Sequence, residues 1–163
     1  MIPWILLGTA ATSKNGAELR LYQRDNEFSI KADGQELMNS QVHGSEDVLA
    51  KLACEKIANH PEVRVLVGGL GLGYTLRAAL NELQPGASVV VAEIVPEVLE
   101  WNQKFLGHLA DHPLDDDRVT VELTDVAKMI KSGQGDYNAI MLDVDNGPQA
   151  MFQEGNDWIY TNR

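Results

Sequence analysis

A glycine-rich turn is the feature of this sequence whose residue types and spacing point most directly to chemistry. In RVLVGGLGLGYTLRAAL, residues 64–80, an apolar run leads into Gly69, Gly71 and Gly73, and a helix-like stretch follows. Backbone N–H groups at such a turn are free to bind a ligand. A dinucleotide fingerprint needs glycine where Tyr74 stands, and no Gly-Lys-Ser/Thr triplet forms a phosphate-binding loop. The G-x-G-x-G spacing suits a nucleoside with an amino-acid tail, as in S-adenosylmethionine, or a turn that serves only strand-to-helix packing.

Three acidic residues follow the other predicted strands and are candidates for the same site. Glu93 ends the second strand, where a carboxylate can accept both ribose hydroxyl protons, although an isolated strand-end glutamate is usually only exposed. Asp125 follows the third strand, where it can accept a hydrogen bond from an adenine amino group, cap the next helix, or do both. Asp143 ends the fourth strand in LDVDNGP. Because the carboxyl ends of parallel strands share one edge of a sheet, we expect these acids beside the glycine turn.

The order of the predicted elements places these residues on a parallel α/β sheet. Apolar strands alternate with helices, and the strand segments are VRVLV, SVVVAEI, RVTVEL and YNAIMLD. Helices are predicted from Tyr74 to Leu83, from Pro96 with Val98, Leu99 and Phe105 facing inward, and near Val126 to Ile130. Trp101 and Phe105 lie at core spacing. The alternation predicts crossover helices and therefore parallel strands.

The residues before this alternation predict a small β unit. The segments ELRLYQ and EFSIKA alternate apolar and polar residues, and turn signals stand at Asn15-Gly16, Asp25-Asn26 and Asp33-Gly34. A helix is then expected with Ser45 as its cap, ending near His60-Pro61, with Val48, Leu49, Leu52 and Ile57 on one face. We therefore predict an antiparallel unit over residues 1–42 and a nucleoside-binding domain with four parallel strands over residues 43–163.

Composition and charge exclude several classes of protein. The chain has 163 residues, a formal net charge of −11 and a pI near 4.6, which argues against nucleic-acid binding and permits a cationic substrate. No apolar run approaches the roughly 20 residues of a membrane helix, and signal-peptide features are absent, so a cytoplasmic protein without a membrane partner is predicted. Cys54 is expected to be a buried, inert thiol. The four histidines, His43 among them, lack metal-ligand spacing, and DHPLDDDR is expected to be a solvated loop rather than a calcium site.

These motifs resemble those of the spermidine synthase family of aminopropyltransferases and its methyltransferase-like relatives, which share the class I S-adenosylmethionine-dependent methyltransferase fold. GGLGLG matches the family's Gly-Gly-Gly-Asp-Gly-Gly loop, and Glu93 matches the acid that binds the ribose. TDV, with Asp125, matches the segment that binds adenine. DVDNGP matches loosely the run whose first aspartate helps to deprotonate the acceptor amine, which gives that role to Asp143. The resemblance implies a Rossmann-like, methyltransferase-type sheet.

Three departures from the family pattern alter the expected activity. Gly71 replaces the loop acid, VHGSED replaces Tyr-His/Gln-Glu, and the second aspartate of the catalytic run is displaced to Asp145. The resemblance therefore implies a transferase that is more methyltransferase-like than a true spermidine synthase. Its cofactor would be S-adenosylmethionine or decarboxylated S-adenosylmethionine, and its acceptor a small molecule such as an amine. The alternative is a catalytically silent or truncated module that binds the nucleoside without a completed acceptor site.

The last expectation concerns the C-terminal edge of the sheet. The sequence stops at Arg163, whereas members of this fold continue with three more strands, so the sheet is expected to be incomplete there. An unpaired apolar edge strand is a template for association. We therefore predict a homodimer with Trp158, Ile159 and Tyr160 in or near the interface.

Overall fold

The N-terminal residues form an antiparallel sheet with the strand order β1-β2-β3-β4. The computed structural model describes residues 2–12, 17–133 and 135–144. The strands are β1 (Ile5–Ala11), β2 (Glu18–Arg24), β3 (Glu27–Ala32) and β4 (Gln35–Asn39). Asp25 and Asp33 take φ angles of 53° and 47° at the predicted turns, a conformation that short polar side chains tolerate. Both turns are confirmed, and the predicted Asn15-Gly16 turn lies outside the described residues.

The following residues form a parallel sheet with the strand order β7-β6-β5-β8. Its strands are β5 (Arg64–Gly68), β6 (Ser88–Glu93), β7 (Val119–Leu123) and β8 (Ala139–Leu142). The helices are α1 (Gly44–Cys54), α2 (Tyr74–Glu82), α3 (Pro96–Trp101) and α4 (Val126–Ser132). The chain continues from α3 as a π-helical turn over Asn102–Leu106 and 3₁₀ turns over Gly107–Ala110 and Pro113–Asp115. The predicted parallel sheet flanked by helices is confirmed, and its described part ends at β8.

Two hydrophobic cores lie on opposite faces of the parallel sheet. The larger one buries Leu21 and Ile30 of the antiparallel sheet together with Val65 of β5. The smaller one contains Leu66 and Val126. Successive strand residues face opposite sides, and each fully buried valine or leucine side chain contributes about 1.5–3 kcal/mol. The two sheets therefore share one large core, and the division of the chain at residue 42 stays a prediction.

Helix α1 differs from its prediction in its start, its end and its inner face. His43 occupies the N-cap position, and the Ser45 hydroxyl donates to the Glu46 carboxylate instead of capping the helix. The helix ends at Cys54, before the predicted end near His60-Pro61. Val48 and Leu52 are 58% and 69% exposed, whereas the smaller Ala50 and Cys54 are buried and Leu49 and Ile57 are partly buried. The predicted face is therefore wrong for Val48 and Leu52.

Trp101, at the end of α3, packs against the antiparallel sheet. It is 4% exposed, and a Cβ on Gly8 of β1 would lie 2.5 Å from its indole nitrogen, so only glycine permits this approach. The pairing of β1 with β2 shifts register between Leu6 and Gly8 at the same place. Phe105 is partly buried against the large core. The predicted packing role of Trp101 and Phe105 is confirmed.

The acidic run at residues 111–118 is more structured than a solvated loop. Arg118 pairs with Asp116 at 2.7 Å and donates to the carbonyl oxygens of Leu80, in the last turn of α2, and of Leu83, which follows the helix. The Arg118 hydrogen bonds lower the pKa of Asp116 to about 2. Asp111 and His112, the first two residues of the run, take positive φ angles. The run therefore connects the end of α2 to the start of β7 through the hydrogen bonds of Arg118.

Two further sequence predictions concern Cys54 and the membrane. Cys54 is fully buried, and burial raises the pKa of its thiol, which confirms the buried position expected for an inert cysteine. In residues 2–12, 17–133 and 135–144, no helix has the length and apolar character needed to cross a bilayer.

Candidate functional site

The glycine turn between β5 and α2 has the left-handed backbone that its sequence indicates. The φ angles of Gly69, Gly71 and Gly73 are 90°, 52° and 86°, a region that other residues rarely adopt. A Cβ on Gly69 would lie 2.3 Å from the carbonyl oxygen of Asp143, so packing alone requires glycine there. A Cβ on Gly71 would meet only the flexible Met38 side chain, 3.3 Å from its sulfur. Of the three glycines, only Gly71 lines the cleft that lies beside the turn.

Glu93 is buried behind this turn and is not an ordinary exposed strand-end residue. It is 6% exposed, its Oε2 accepts a hydrogen bond from the Leu70 N–H at 2.9 Å, and its Oε1 accepts one from the Val95 N–H at 2.9 Å. Burial raises the pKa of the carboxyl, and the backbone N–H groups oppose that rise. The N–H groups of Ile94 and Gly71 act on the carboxyl in the same way as those of Leu70 and Val95. Glu93 thus organises the turn, and its contact with a ribose stays a prediction.

Asp125 has the capping role that the sequence allowed. Its Oδ1 accepts a hydrogen bond from the Ala127 N–H at 2.9 Å, at the start of α4. The carboxylate is 8% exposed. The neighbouring Val126 lies against β5, because a Cβ on Gly68 would be 2.9 Å from its Cγ2. Asp125 therefore lies at the same edge of the sheet as the glycine turn, and its adenine contact stays a prediction.

Asp143 follows β8 and lies directly beside the glycine turn. Its N–H donates to the Gly68 carbonyl at 2.9 Å, and its Oδ2 accepts from the Thr75 hydroxyl at 2.7 Å. The side chain is open to solvent, yet the protein atoms around it displace enough water to raise the pKa of the carboxyl. The negative charge of Glu46 raises this pKa further, and the Thr75 hydrogen bond opposes the rise. A carboxylate with a raised pKa accepts a proton more readily, as a general base must.

A cleft of about 430 Å³ lies between the antiparallel sheet and the glycine turn. Gly71, Leu72 and Tyr74 line it on the side of the turn, and β4 lines the other side. Three carboxylates, Glu36, Glu46 and Asp143, also line it, as do Leu37, Met38, Asn39, Val42 and Val144. This lining combines apolar surface with concentrated negative charge. The cleft therefore suits a small ligand that carries positive charge.

The structure brings the predicted residues together to different degrees. Gly71 and Asp143 line the cleft itself. Gly69, in the turn itself, packs against the Asp143 carbonyl, and Glu93 contacts the turn from behind through the Leu70 N–H. Asp125 lies farther along the same edge, beyond β6. The binding and catalytic roles of these residues stay predictions, and their shared position at one edge is what the structure adds.

Two polar residues at this site were not predicted from the sequence. Thr75 fixes one oxygen of Asp143, and Asn102 donates to the Gly71 carbonyl at 2.8 Å and to the Val98 carbonyl at 2.9 Å. Thr75 follows the glycine turn by two positions, which is a weak signal. Asn102 lies on the helix face that buries the apolar residues Val98, Trp101 and Leu106, and a polar residue on such a face is the signal that was available.

His43 was predicted to be a surface residue, and its ring is exposed. It stacks on Tyr74 with ring centroids 4.2 Å apart and an interplanar angle of 20°. The Tyr74 hydroxyl donates to the Ser40 carbonyl at 3.3 Å. The stack joins the start of α1 to the start of α2 beside the cleft. Among the described residues, no group of three or more histidine, cysteine or acidic side chains is arranged to hold a metal ion.

Comparison with solved structures identifies the fold. The spermidine synthase of Thermotoga maritima matches 91% of this chain with a TM-score of 0.69 and 17% identity. A spermidine synthase in complex with the transition-state analogue AdoDATO matches 85% of the chain with a TM-score of 0.67 and 18% identity. The chain covers 50% and 47% of these two proteins. The similarity confirms the Rossmann-like, methyltransferase-type fold.

Comparison of sequences identifies the family. The polyamine aminopropyltransferase of Saccharolobus solfataricus is 34% identical over 84 residues, which are 52% of this chain and 28% of that protein. The corresponding enzyme of Saccharolobus islandicus is 33% identical over the same length. The chain thus aligns with less than a third of these relatives. The model of the spermine/spermidine synthase domain matches residues 43–157. The chain therefore belongs to the spermine/spermidine synthase domain family.

Proposed function

We propose that this protein is a transferase that moves an aminopropyl group from decarboxylated S-adenosylmethionine to a small amine. The observation that carries the proposal is the placement of Asp143 beside the glycine turn, in a cleft that Glu36 and Glu46 also line. The sequence favoured methyl transfer over aminopropyl transfer. The names of the relatives, polyamine aminopropyltransferase and spermidine synthase, support the aminopropyl alternative.

The residues around the turn fit an adenosyl donor. Gly71 lines the cleft at a positive φ angle, and Glu93 holds the turn from behind through the Leu70 N–H. Asp125 lies at the same edge of the sheet, where its carboxylate would accept a hydrogen bond from the adenine amino group. The bound donor would supply an electrophilic carbon next to a sulfonium, which leaves as a thioether. This chain would hold the nucleoside and align that carbon with the acceptor.

Asp143 would carry the proton transfer. An amine is protonated near neutral pH and becomes a nucleophile only when a base removes that proton. The Asp143 carboxylate would accept the proton, and the free amine would form the new N–C bond. As the C–S bond breaks, its electron pair stays on sulfur. Asp143 then releases the proton to solvent through the open cleft.

The acids of the cleft would select a cationic acceptor. Hydrogen bonds from Asn39 and Ser29 lower the pKa of Glu36, so Glu36 is anionic at neutral pH. Glu46 lies near enough to Asp143 to raise its pKa. A linear diamine places one ammonium group against such carboxylates while the other reaches the donor carbon. The charge of the cleft therefore favours a diamine over a neutral acceptor.

A turnover assay with two donors tests the proposal. The purified protein is incubated with a panel of linear diamines and either decarboxylated S-adenosylmethionine or S-adenosylmethionine, and mass spectrometry measures the mass added to the amine. We expect an aminopropyl adduct with the first donor and no methyl adduct with the second. A methyl adduct alone would show that the aminopropyl assignment is wrong. Asp136→Asn, an exposed carboxylate just before β8, is the matched control for changes at Asp143.

A catalytically silent module remains the second candidate. Gly71 replaces the family's loop acid. This replacement favours a protein that holds a nucleoside without transferring a group from it. Calorimetric binding of 5′-methylthioadenosine without turnover of any amine in the panel would support this candidate and contradict transfer.

The predicted homodimer and cytoplasmic location belong to the same proposal. Trp158, Ile159 and Tyr160, which were predicted near the interface, lie outside the described residues. β8 is the last strand of the described part of the sheet, and Ile140 on it is 43% exposed. This exposed apolar side chain supports association of two copies through β8, which sedimentation equilibrium tests.

A further inference from the structure

Asn102 is a buried polar residue that connects the π-helical turn to the glycine turn. It is 2% exposed and begins the π-helical turn Asn102–Leu106 directly after α3. Its Nδ2 donates to the Gly71 carbonyl at 2.8 Å and to the Val98 carbonyl at 2.9 Å. Because both partners are acceptors, the orientation of the amide is determined. Single π-helical turns within helices occur frequently at functional sites.

Stability alone does not account for an asparagine at this position. Its Oδ1 is buried and, among the described residues, has no hydrogen-bond partner. A buried acceptor without a partner is destabilising, whereas an apolar side chain of similar size leaves no such group. The surroundings are apolar, since Val98, Trp101 and Leu106 are all buried. The residue therefore has a role that an apolar side chain cannot perform.

That role follows from the geometry of the peptide that joins Gly71 to Leu72. A trans peptide is planar, with its C=O and its N–H on opposite sides. The bond from Asn102 holds the Gly71 carbonyl toward the protein interior, which turns the Leu72 N–H the other way. Gly71 and Leu72 line the cleft. Asn102 also lies beneath Gly73, because a Cβ there would be 3.4 Å from its Oδ1.

We propose that Asn102 is a positioning residue, which holds the Gly71–Leu72 peptide so that the Leu72 N–H faces the adenosyl ligand. The proposal rests on the proposed function, because it assumes a nucleoside at the glycine turn. Asn102 does not touch the ligand. It acts through the backbone of the turn and leaves the proton transfer at Asp143 unchanged.

Asn102→Ser tests the two hydrogen bonds separately, because it removes the bond to Gly71 and can keep the bond to Val98. A serine hydroxyl can still donate to the Val98 carbonyl four residues earlier in the helix, but it is too short to reach the Gly71 carbonyl. We expect 5′-methylthioadenosine to bind about five- to tenfold more weakly by calorimetry, the scale of one lost hydrogen bond. The donor KM should rise by a similar factor while kcat stays within about twofold of wild type. Asn102→Ala, which loses both bonds, should give at least the same weakening.

Leu106→Ala is the control for a loss of packing in the same turn. Leu106 is fully buried and has no side-chain donor for the Gly71 carbonyl. We expect this variant to lower the melting temperature more than Asn102→Ser while its affinity for 5′-methylthioadenosine stays within about twofold of wild type. Equal weakening in both variants would show that binding follows stability, and unchanged affinity in Asn102→Ser would show that Asn102 does not position the turn.

A measurement without ligand distinguishes failure of this proposal from failure of the proposed function. Amide chemical shifts of the free protein are compared between wild type and Asn102→Ser. Chemical-shift changes centred on Leu72 and its neighbours in the turn support the positioning role, whether or not wild type binds an adenosyl compound. If wild type binds none, the proposed nucleoside function is wrong and the positioning role still holds. Unperturbed amides at Gly71 and Leu72 would overturn the positioning role whether or not wild type binds a nucleoside.

Discussion

Replacement of Glu93 by glutamine tests the nucleoside site most directly. The two carboxylate oxygens accept hydrogen bonds from the Leu70 and Val95 N–H groups, both at 2.9 Å. Glutamine offers one oxygen and one NH₂ group, so one of these N–H groups loses its acceptor. A buried donor without an acceptor costs about 1–3 kcal/mol. Since Leu70 lies inside the glycine turn and Val95 precedes α3, the loss falls on the elements that form the site.

Binding of the nucleoside should weaken more than stability. In the proposed complex, the Glu93 carboxylate accepts hydrogen bonds from the ribose. Loss of a charge-assisted acceptor costs about 1.5–3 kcal/mol, which corresponds to a roughly 10- to 150-fold increase in Kd. We therefore expect Glu93→Gln to remain folded and to bind 5′-methylthioadenosine at least tenfold more weakly.

The stability of Glu93→Gln should also depend on pH in a defined direction. Burial raises the pKa of Glu93, so folding favours its protonated form. The stabilisation from that form is complete below the ordinary pKa of the carboxyl and is lost as pH rises through the raised pKa. Glutamine cannot ionise and does not show this loss. The unfolding free energy of the variant minus that of wild type should therefore increase from about pH 4 to about pH 7.

The assay for Glu93→Gln combines calorimetric titration with urea unfolding of the same samples. Glu122→Gln is the matched control, because Glu122 is an exposed residue of β7 whose strand pairs with β6. The control should bind like wild type. If wild type binds 5′-methylthioadenosine and Glu93→Gln binds it equally well, Glu93 does not contact the nucleoside and the assignment of the ribose site is wrong.

Three further predictions concern proton transfer and association. Asp143→Asn should lower turnover with an amine by about 100-fold or more in steady-state kinetics, whereas the control Asp136→Asn should not. A fully active Asp143→Asn variant would exclude Asp143 as the base. Thr75→Val removes a hydrogen bond that lowers the pKa of Asp143, so the acidic limb of the pH profile of kcat/KM should move to higher pH, whereas an unmoved limb would contradict that role of Thr75. Sedimentation equilibrium at micromolar concentration should show a dimer that Trp158→Ala weakens; a folded monomer would refute association.

Much of the fold follows from the sequence because the strands are apolar runs that alternate with helices. The inner face of α1 did not follow, since the helix has apolar residues on more than one side. Val48 and Leu52 were expected inside, but Ala50 and Cys54 are buried. Cys54 lies near Glu82 of α2, and small side chains let the two helices approach closely. Hydrophobicity alone does not distinguish a large exposed residue from a small buried one.

The sequence predicted the position of those site residues that lie at or just after the ends of strands. Gly69, Glu93 and Asp143 could be placed at one edge because the carboxyl ends of parallel strands coincide there. Thr75 and Asn102 could not, because they reach the edge from helices. The direction of Asn102 depends on the π-helical turn that begins at that residue, and the spacing of apolar residues does not predict such a turn. Side chains that support a site from helices need coordinates to be identified.

The position of β5 has a consequence for the order in which the protein is made. β5 lies between β6 and β8, and Arg64 at its start bonds to Asn138, which is 74 positions later in the chain. During synthesis, the glycine turn, Glu93 and Asp125 therefore emerge before Asp143. Pairing of such distant strands is slow compared with local folding. A nascent chain can form the glycine turn and place Glu93 first, and Asp143, the proposed base, joins the cleft only when β8 adds to the sheet.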